Sequence, residues 1–163
     1  MYDAPSRESH SPEIDPKVYN HEHLFGDNTS YQKYIILTHP RTGSNFLCDS
    51  LRSHQKIVSY SEIFHPEAVY FGYYPGYPGY NVRELVNYRD ENTLDFLNKM
   101  VFRNFSPDIS AVGFKIFYNQ PELLPDEKKV WPYLINLPDL RIIHLKRKNL
   151  LKSYVSFMVA MKT

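Results

Sequence analysis

Short apolar runs rich in β-branched residues alternate along the chain with longer segments in which apolar residues recur every three to four positions. Runs of the first kind are typical of buried strands, and segments of the second kind are typical of helices with one apolar face. The pattern predicts four strands, at residues 34–39, 57–62, 111–117 and 141–146. It predicts a helix that residues 42–45 open and that continues to about residue 54, a mostly helical segment over 82–104, and helices at residues 121–136 and 149–162.

This alternation favours an α/β fold in which a parallel sheet carries helices on its faces. Ligands of such sheets bind beyond the carboxyl ends of the strands. We therefore expect functional residues directly after each strand, in the segments 39–45, 61–64, 115–119 and 147–149. Residues 1–30 are polar and contain three prolines, so we interpret them as a loose lead-in to one domain over residues 31–163.

The composition excludes several classes of protein. A length of 163 residues suffices for one domain with a core, and 15% aromatic residues exclude a disordered chain. The single cysteine, Cys48, excludes an internal disulfide and a multi-thiolate metal site, and we interpret it as a packing residue. The net charge of +1 predicts neither a nucleic-acid partner nor a membrane partner. Without a signal-peptide segment or an apolar run of membrane-spanning length, we expect a soluble cytoplasmic protein.

The first predicted strand runs directly into the segment His39-Pro-Arg-Thr-Gly-Ser-Asn45. A strand, a glycine turn and a helix N-terminus together form a backbone site for an anion. Thr42, Ser44 and Asn45 add side-chain donors, and Arg41 adds a cation; Thr42 or Ser44 is the expected N-cap. The segment is not a Walker A loop, because it lacks the pattern G-x-x-x-x-G-K-[ST]. An ordinary strand–turn–helix junction is the alternative interpretation.

A second basic segment follows the fourth predicted strand. Residues 140–163 contain six lysines or arginines and no acidic residue, which is typical of either a solvated helix face or an anion site. Lys148, Lys152 and Ser156 are spaced to share one face of the last helix. An Mg-dependent NTPase would more often place a carboxylate at this strand end to hold its metal. We therefore expect no metal site, and a ligand with two separated phosphate-type groups.

These segments resemble the sulfotransferases that use 3′-phosphoadenosine 5′-phosphosulfate, PAPS. Residues 39–47 are similar to their 5′-phosphosulfate loop, and residues 142–156 are similar to their 3′-phosphate motif. Ser61-Glu62 after the second strand and residues 112–115, with Pro121 downstream, also agree with the family. The resemblance covers about residues 34–162 and is greatest to bacterial carbohydrate sulfotransferases of the Nod-factor type.

The resemblance implies a P-loop-NTPase-like, three-layer α/β/α sheet, of which this chain carries the N-terminal portion. It implies transfer of a sulfuryl group from PAPS to a hydroxyl acceptor, a carbohydrate or a similar small molecule. The donor-binding residues that match its motifs are Arg41, Thr42, Gly43, Ser44, Asn45, Phe46, Arg147, Lys148 and Ser156. Either Arg147 or Lys148 would hold the 3′-phosphate, and Phe46 would either stack on adenine or pack in the core.

The resemblance also implies catalytic roles. Arg41 and the loop N–H groups would stabilise the charge that grows on the leaving phosphate. Glu62 would take the proton of the acceptor hydroxyl, and Lys115 matches a basic strand-end position without a firm role. The alternatives are an exposed loop carboxylate for Glu62 and a lysine that reaches from the strand end to solvent for Lys115.

Other features carry weaker expectations. His21 and His23 are interpreted as solvated residues, and His144 as a histidine satisfied within the core. The Tyr-, Gly- and Pro-rich segment 70–80 is either a lid over the acceptor or a rigid surface loop. The acceptor and the oligomeric state stay open.

Two further functions remain as hypotheses: an inactive or truncated protein of the same fold that binds PAPS or its bisphosphate product, and, less well supported, a nucleotide kinase.

The sequence stops inside a helical pattern without a Gly or Asn C-cap, and the last helix has a long apolar stripe. We therefore expect the family activity to be weak or absent in these 163 residues.

Overall fold

A computed structural model of the chain describes residues 24–72, 74, 83–124 and 127–162. Its centre is a sheet of four parallel strands: β1 (Gln32–Thr38), β2 (Ile57–Glu62), β3 (Ala111–Phe117) and β4 (Arg141–Leu145). The strand order is β2-β3-β1-β4, so the four carboxyl ends lie at one edge of the sheet. The parallel α/β sheet predicted from the sequence is confirmed.

Helices flank this sheet and give it the architecture of a partial three-layer α/β/α fold. They are α1 (Ser44–Arg52), α2 (Arg83–Glu91), α3 (Thr93–Phe96) with a π-helical turn at Leu97–Val101, α4 (Glu127–Asn136) and α5 (Leu150–Ala160). None of these described helices has both the length and the apolar character that crossing a membrane requires.

Two of the predicted helices are interrupted. The helix predicted over 82–104 breaks at Asn92, whose backbone leaves the helical region (φ −133°, ψ 49°). The helix predicted over 121–136 is a 3₁₀ turn, Pro121–Leu123, followed by α4. Leu124 is extended (φ −97°, ψ 149°), because a residue that precedes a proline is sterically disfavoured in the helical region.

The alternating side chains of the strands divide between two apolar clusters, one on each face of the sheet. The larger cluster joins Ile35 of β1 and Phe114 of β3 to side chains of α2, α3 and α4. The smaller cluster joins Ile36 of β1 to Cys48 of α1. Cys48 is fully buried, and this burial raises the pKa of its thiol, so the predicted packing role is confirmed.

Part of the segment 70–80 belongs to the larger cluster. Phe71 and Tyr74 are buried, and the Tyr74 hydroxyl accepts a hydrogen bond of 2.6 Å from the N–H of Ser59 in β2. The prediction of a surface loop or lid is therefore wrong for these two residues. Residues 73 and 75–80 lie outside the described residues, as do His21 and His23.

The edge strand β4 and helix α5 are poorly covered. Ile142 of β4 is 59% exposed, and α5 has no buried residue. The predicted helix is therefore present, but its apolar stripe lies on the surface. The expectation that His144 lies in the core is wrong, because none of the described residues covers this edge of the sheet; His144 is exposed and hydrogen-bonds the Tyr118 hydroxyl.

Tyr34 extends across the middle of the sheet on the side of α1. Its register partner in β3 is Gly113, and its hydroxyl reaches β2, where it donates a hydrogen bond of 3.2 Å to the carbonyl of Val58. A Cβ atom at Gly113 would lie 2.6 Å from the Tyr34 ring and 2.2 Å from the Tyr34 carbonyl oxygen. The close approach of this ring therefore requires a glycine.

We expect Gly113→Ala to lower the free energy of unfolding by about 2–3 kcal/mol, because the methyl group must displace both a ring and a backbone carbonyl. Urea unfolding followed by circular dichroism measures this loss. Gly43→Ala is the control: a Cβ there meets no atom within 4 Å. Its expected cost is about 1 kcal/mol, from the left-handed backbone alone. Equal losses in the two variants would contradict the role of Tyr34.

Candidate functional site

The turn between β1 and α1 has an unusual backbone. Arg41 and Gly43 both have positive φ, 63° and 90°. Turns in which φ alternates in sign direct consecutive N–H groups to one side and bind anions. Gly43 occupies the N-cap position of α1, and no side chain of the described residues caps this helix. The N-cap predictions for Thr42 and Ser44 are therefore wrong, and the helix N-terminus keeps the polarity that attracts an anion.

Thr42 fixes this turn to the sheet. Its hydroxyl has two acceptors within reach for its one proton, the hydroxyl of Thr38 at 2.7 Å and the carbonyl of His39 at 3.0 Å. Thr38 in turn donates a hydrogen bond of 2.8 Å to the carbonyl of Leu145, at the end of β4. The Thr42 hydroxyl, predicted as a donor to the ligand, thus holds the turn against two strands.

Arg41 connects the turn to the second basic segment. Its Nε donates a hydrogen bond of 2.8 Å to the hydroxyl of Ser156 in α5. Arg147 Nη1 donates one of 3.0 Å to the carbonyl of Arg41. The two predicted anion motifs, far apart in sequence, therefore contact each other.

Lys115 of β3 carries a charge into the sheet, where its side chain is only 1% exposed. Its ammonium lies 2.7 Å from Glu62 Oε1 and also donates to the side-chain oxygen of Asn45, in the first turn of α1. Gln120 donates a hydrogen bond of 3.1 Å to the other oxygen of Glu62. The solvent-facing alternatives for Glu62 and Lys115 are therefore wrong: the two side chains form a largely buried ion pair.

A β-bulge makes this ion pair possible. Tyr60 of β2 pairs with Phe114, and the next pair is Glu62 with Lys115, so Ser61 is an additional residue in β2. Because side chains alternate along a strand, Ser61 would otherwise lie beside Lys115, and Glu62 would lie on the opposite face. The bulge reverses this alternation and brings the carboxylate to the lysine.

A cavity of about 380 Å³ at the carboxyl edge joins these groups. Its lining residues are Pro40, Arg41, Gly43, Ser44, Asn45, Glu62, Lys115, Phe117, Arg147 and Ser156. Three of them are cations and one is a carboxylate, so the field inside the cavity favours an anion. In the part of the chain that the structure describes, no three His, Cys, Asp or Glu side chains are grouped to hold a metal ion.

Three of the predicted site residues do not line this cavity. Thr42 contacts Thr38 and His39, and Lys148 is exposed, whereas its neighbour Arg147 lines the cavity. Phe46 is 79% exposed, so the alternative that it packs in the core is wrong. Its ring is accessible to a ligand outside the cavity.

Sequence patterns gave no indication of two residues that support the site. Gln120 orients Glu62, although it lies just beyond the segment after β3 that we singled out. Arg89 of α2 is fully buried and donates hydrogen bonds to the carbonyls of Ile63, His65 and Ala68, at 3.0, 2.6 and 3.1 Å. It thereby fixes the segment that follows Glu62. A single arginine in a helix carries no motif that would have revealed this role.

Comparisons of the chain with protein-family models, with curated proteins and with solved structures found no match. The resemblance to PAPS-dependent sulfotransferases therefore remains an expectation from the sequence.

We expect Glu62→Gln to lower the free energy of unfolding by about 3 kcal/mol, because it leaves the buried Lys115 ammonium without a counter-charge. Lys115→Met removes that charge and leaves Glu62 partly exposed and bonded to Gln120. Its expected loss is therefore smaller, about 1 kcal/mol.

Urea unfolding of both single variants and of the double variant measures this asymmetry, and the double variant should be more stable than Glu62→Gln alone. A larger loss from Lys115→Met than from Glu62→Gln would show that packing of the lysine, and not its charge, governs this site.

Proposed function

We propose that the chain binds PAPS and transfers its sulfuryl group to a hydroxyl of a carbohydrate or similar small molecule. One observation carries the proposal: the turn after β1, Arg147 and Ser156 line a single cavity together with the Glu62–Lys115 pair. An anion-binding turn that shares a cavity with a second basic residue, Arg147, suits a donor that bears phosphate groups at two places. A carboxylate beside them suits removal of a proton from an acceptor.

In this proposal the phosphosulfate lies against the N-terminus of α1, and the 3′-phosphate lies against Arg147 and Ser156. We prefer Arg147 to Lys148 as the 3′-phosphate ligand, because Arg147 lines the cavity and its fork of donors matches a phosphate. The exposed ring of Phe46 remains a candidate for stacking on adenine.

The proposed sulfuryl transfer needs no reactant besides PAPS and the acceptor. The acceptor oxygen forms a bond to sulfur while the bond from sulfur to the bridging phosphate oxygen breaks, and the bisphosphate leaves with the electron pair. The acceptor proton passes to Glu62, whose carboxylate oxygens can accept further hydrogen bonds beside those from Lys115 and Gln120. Arg41 and the N–H groups at the start of α1 stabilise the charge on the leaving oxygen.

Thermal unfolding with and without 3′-phosphoadenosine 5′-phosphate tests donor binding, with ATP and Mg²⁺ as the comparison. The proposal expects the bisphosphate to raise Tm and ATP with Mg²⁺ to leave it nearly unchanged, since a ligand that binds the folded state stabilises it. Stabilisation by ATP with Mg²⁺ alone would favour a nucleotide kinase and contradict the proposal.

Arg147→Ala should raise the Kd of the bisphosphate by about 10- to 100-fold, because a charge-assisted contact to the phosphate is lost. Lys148→Ala is the matched control: it removes the adjacent positive charge outside the cavity lining and should change Kd less than about threefold, through long-range attraction alone. Calorimetric titration of both variants measures the difference. Equal losses would indicate a general effect of basic charge in place of a specific contact.

Arg41→Ala should lower kcat by about 100-fold while the bisphosphate Kd changes much less, since the charge on the bridging oxygen develops only in the transition state. Single-turnover transfer from labelled PAPS, beside the Kd of the bisphosphate, separates the two effects. A loss of affinity as large as the loss of rate would make Arg41 a binding residue only.

The second candidate function is binding of PAPS or its product without turnover. The exposure of α5 favours it: this helix supplies Ser156 yet buries no side chain, so water reaches that wall and weakens electrostatic contacts there. Binding of the bisphosphate without transfer to any sugar would support this alternative. The expected cytoplasmic location rests on the sequence alone and is part of the proposal.

A further inference from the structure

A second cavity, of about 440 Å³, adjoins the first one at the carboxyl end of β2. Asn45, Glu62 and Lys115 line both cavities. The buried ion pair therefore borders two separate spaces, and one carboxylate is accessible to ligands in both.

The two cavities differ in charge. The first is lined by three cations and one carboxylate, whereas the second is lined by two cations, Arg52 and Lys115, and two carboxylates, Asp49 and Glu62. Both cations of the second cavity are engaged by the protein: Lys115 by Glu62, and Arg52 by Asp49 at 2.7 Å. Because two cations face two carboxylates, an ion of either sign gains little from this space, whereas a neutral polar ligand needs only hydrogen bonds that replace those it gives up to water.

Besides Asp49, two residues of β2 hold the Arg52 side chain. Its side chain is 3% exposed and donates two hydrogen bonds to the carbonyl of Ser59, of 3.1 and 3.0 Å, and one of 3.1 Å to the hydroxyl of Ser61. Asp49 is different, since its side chain is 56% exposed and carries a carboxylate that can accept hydrogen bonds from ligand hydroxyls.

Two rings form another part of the wall. The rings of His65 and Tyr70 meet edge to face, with centroids 5.3 Å apart. Tyr70 is fixed beside the catalytic candidate, because its N–H donates to the carbonyl of Glu62 at 3.3 Å and its carbonyl accepts from Ser61 at 3.0 Å. An aromatic surface next to a carboxylate is the combination that fits a sugar, which presents an apolar C–H face and hydroxyl edges.

We infer that the second cavity is the acceptor subsite and that it selects an uncharged polyhydroxylated acceptor, with Asp49 and Tyr70 as specificity-determining residues. This inference rests on the proposed function. The acceptor hydroxyl enters from the second cavity and the sulfuryl group from the first. The new bond joins the hydroxyl oxygen to sulfur, Glu62 takes the proton, and the bisphosphate leaves toward the turn with the electron pair.

The test uses the full chain saturated with 3′-phosphoadenosine 5′-phosphate and three β-1,4-linked trisaccharides that differ in charge: cellotriose, a glucosamine trimer and a glucuronic acid trimer. Binding is followed by titration, and transfer is followed with labelled PAPS. We expect the neutral sugar to bind at least tenfold more tightly than the two charged sugars.

Two variants then test the assigned residues. Tyr70→Ala should raise the KM for cellotriose about tenfold with an unchanged bisphosphate Kd, and Tyr70→Phe should restore it, since the ring supplies the contact. Asp49→Asn should shift the preference toward the glucuronic acid trimer. Asp108→Asn, an exposed carboxylate that lines neither cavity, is the matched control and should leave both constants unchanged.

The outcomes separate this inference from the proposed function. If the bisphosphate does not bind, the proposed function and this inference both fail. If it binds and transfer proceeds, but Tyr70→Ala and Asp49→Asn behave as wild type, the acceptor subsite is overturned and the proposed function stands. A large loss of bisphosphate affinity in Tyr70→Ala, or tightest binding of a charged sugar, would overturn the inference as well.

Discussion

Lys115 brings a positive charge into the interior of the sheet, where water cannot solvate it, and three elements are arranged around that charge. β2 contributes Glu62, α1 contributes Asn45, and the segment after β3 contributes Gln120 to orient the carboxylate. A buried ammonium without these partners would cost several kcal/mol, on the order of the whole stability of a small domain. The packing of β2 and α1 against β3 and the geometry of the candidate site are therefore consequences of one requirement.

The contacts around the candidate site differ between the α1 face of the sheet and its β4 edge. On the side of α1, the smaller apolar cluster contains Ile36, the register partner of Lys115, and the Tyr34 ring lies over Gly113, two residues before Lys115. At the β4 edge, the site is closed by polar contacts of exposed residues, chiefly Arg41 with Ser156. Exposed ion and hydrogen-bond contacts contribute little to stability because water competes for them. The α5 wall is therefore the part of the cavity that is held by the weakest contacts.

The sequence predicted the strands well, because a buried parallel strand leaves a short apolar run and little else produces one. The sequence also predicted that the turn after β1, Arg147, Ser156, Glu62 and Lys115 lie at one edge of the sheet, because the carboxyl ends of parallel strands meet at one edge. It could not predict the bulge at Ser61, the uncapped start of α1 or the support from Arg89. These three features depend on contacts between residues that are distant in sequence, and a local sequence pattern does not indicate such contacts. The exposure of His144 was missed for a similar reason: a strand sequence does not show whether its neighbour covers it.

In the proposed function, the shared wall between the two cavities lets Glu62 face the acceptor while the donor occupies the other cavity. In the first cavity, Arg41 and Arg147 supply the positive charge that attracts an anion. In the second, the charges are balanced, so a hydroxyl can approach the carboxylate without competing with an anion for the same space. Lys115 contributes to both effects, since it pairs with Glu62 and at the same time leaves the first cavity with an excess of cations. In this proposal, one buried ion pair thus lies between an anionic donor and a neutral acceptor.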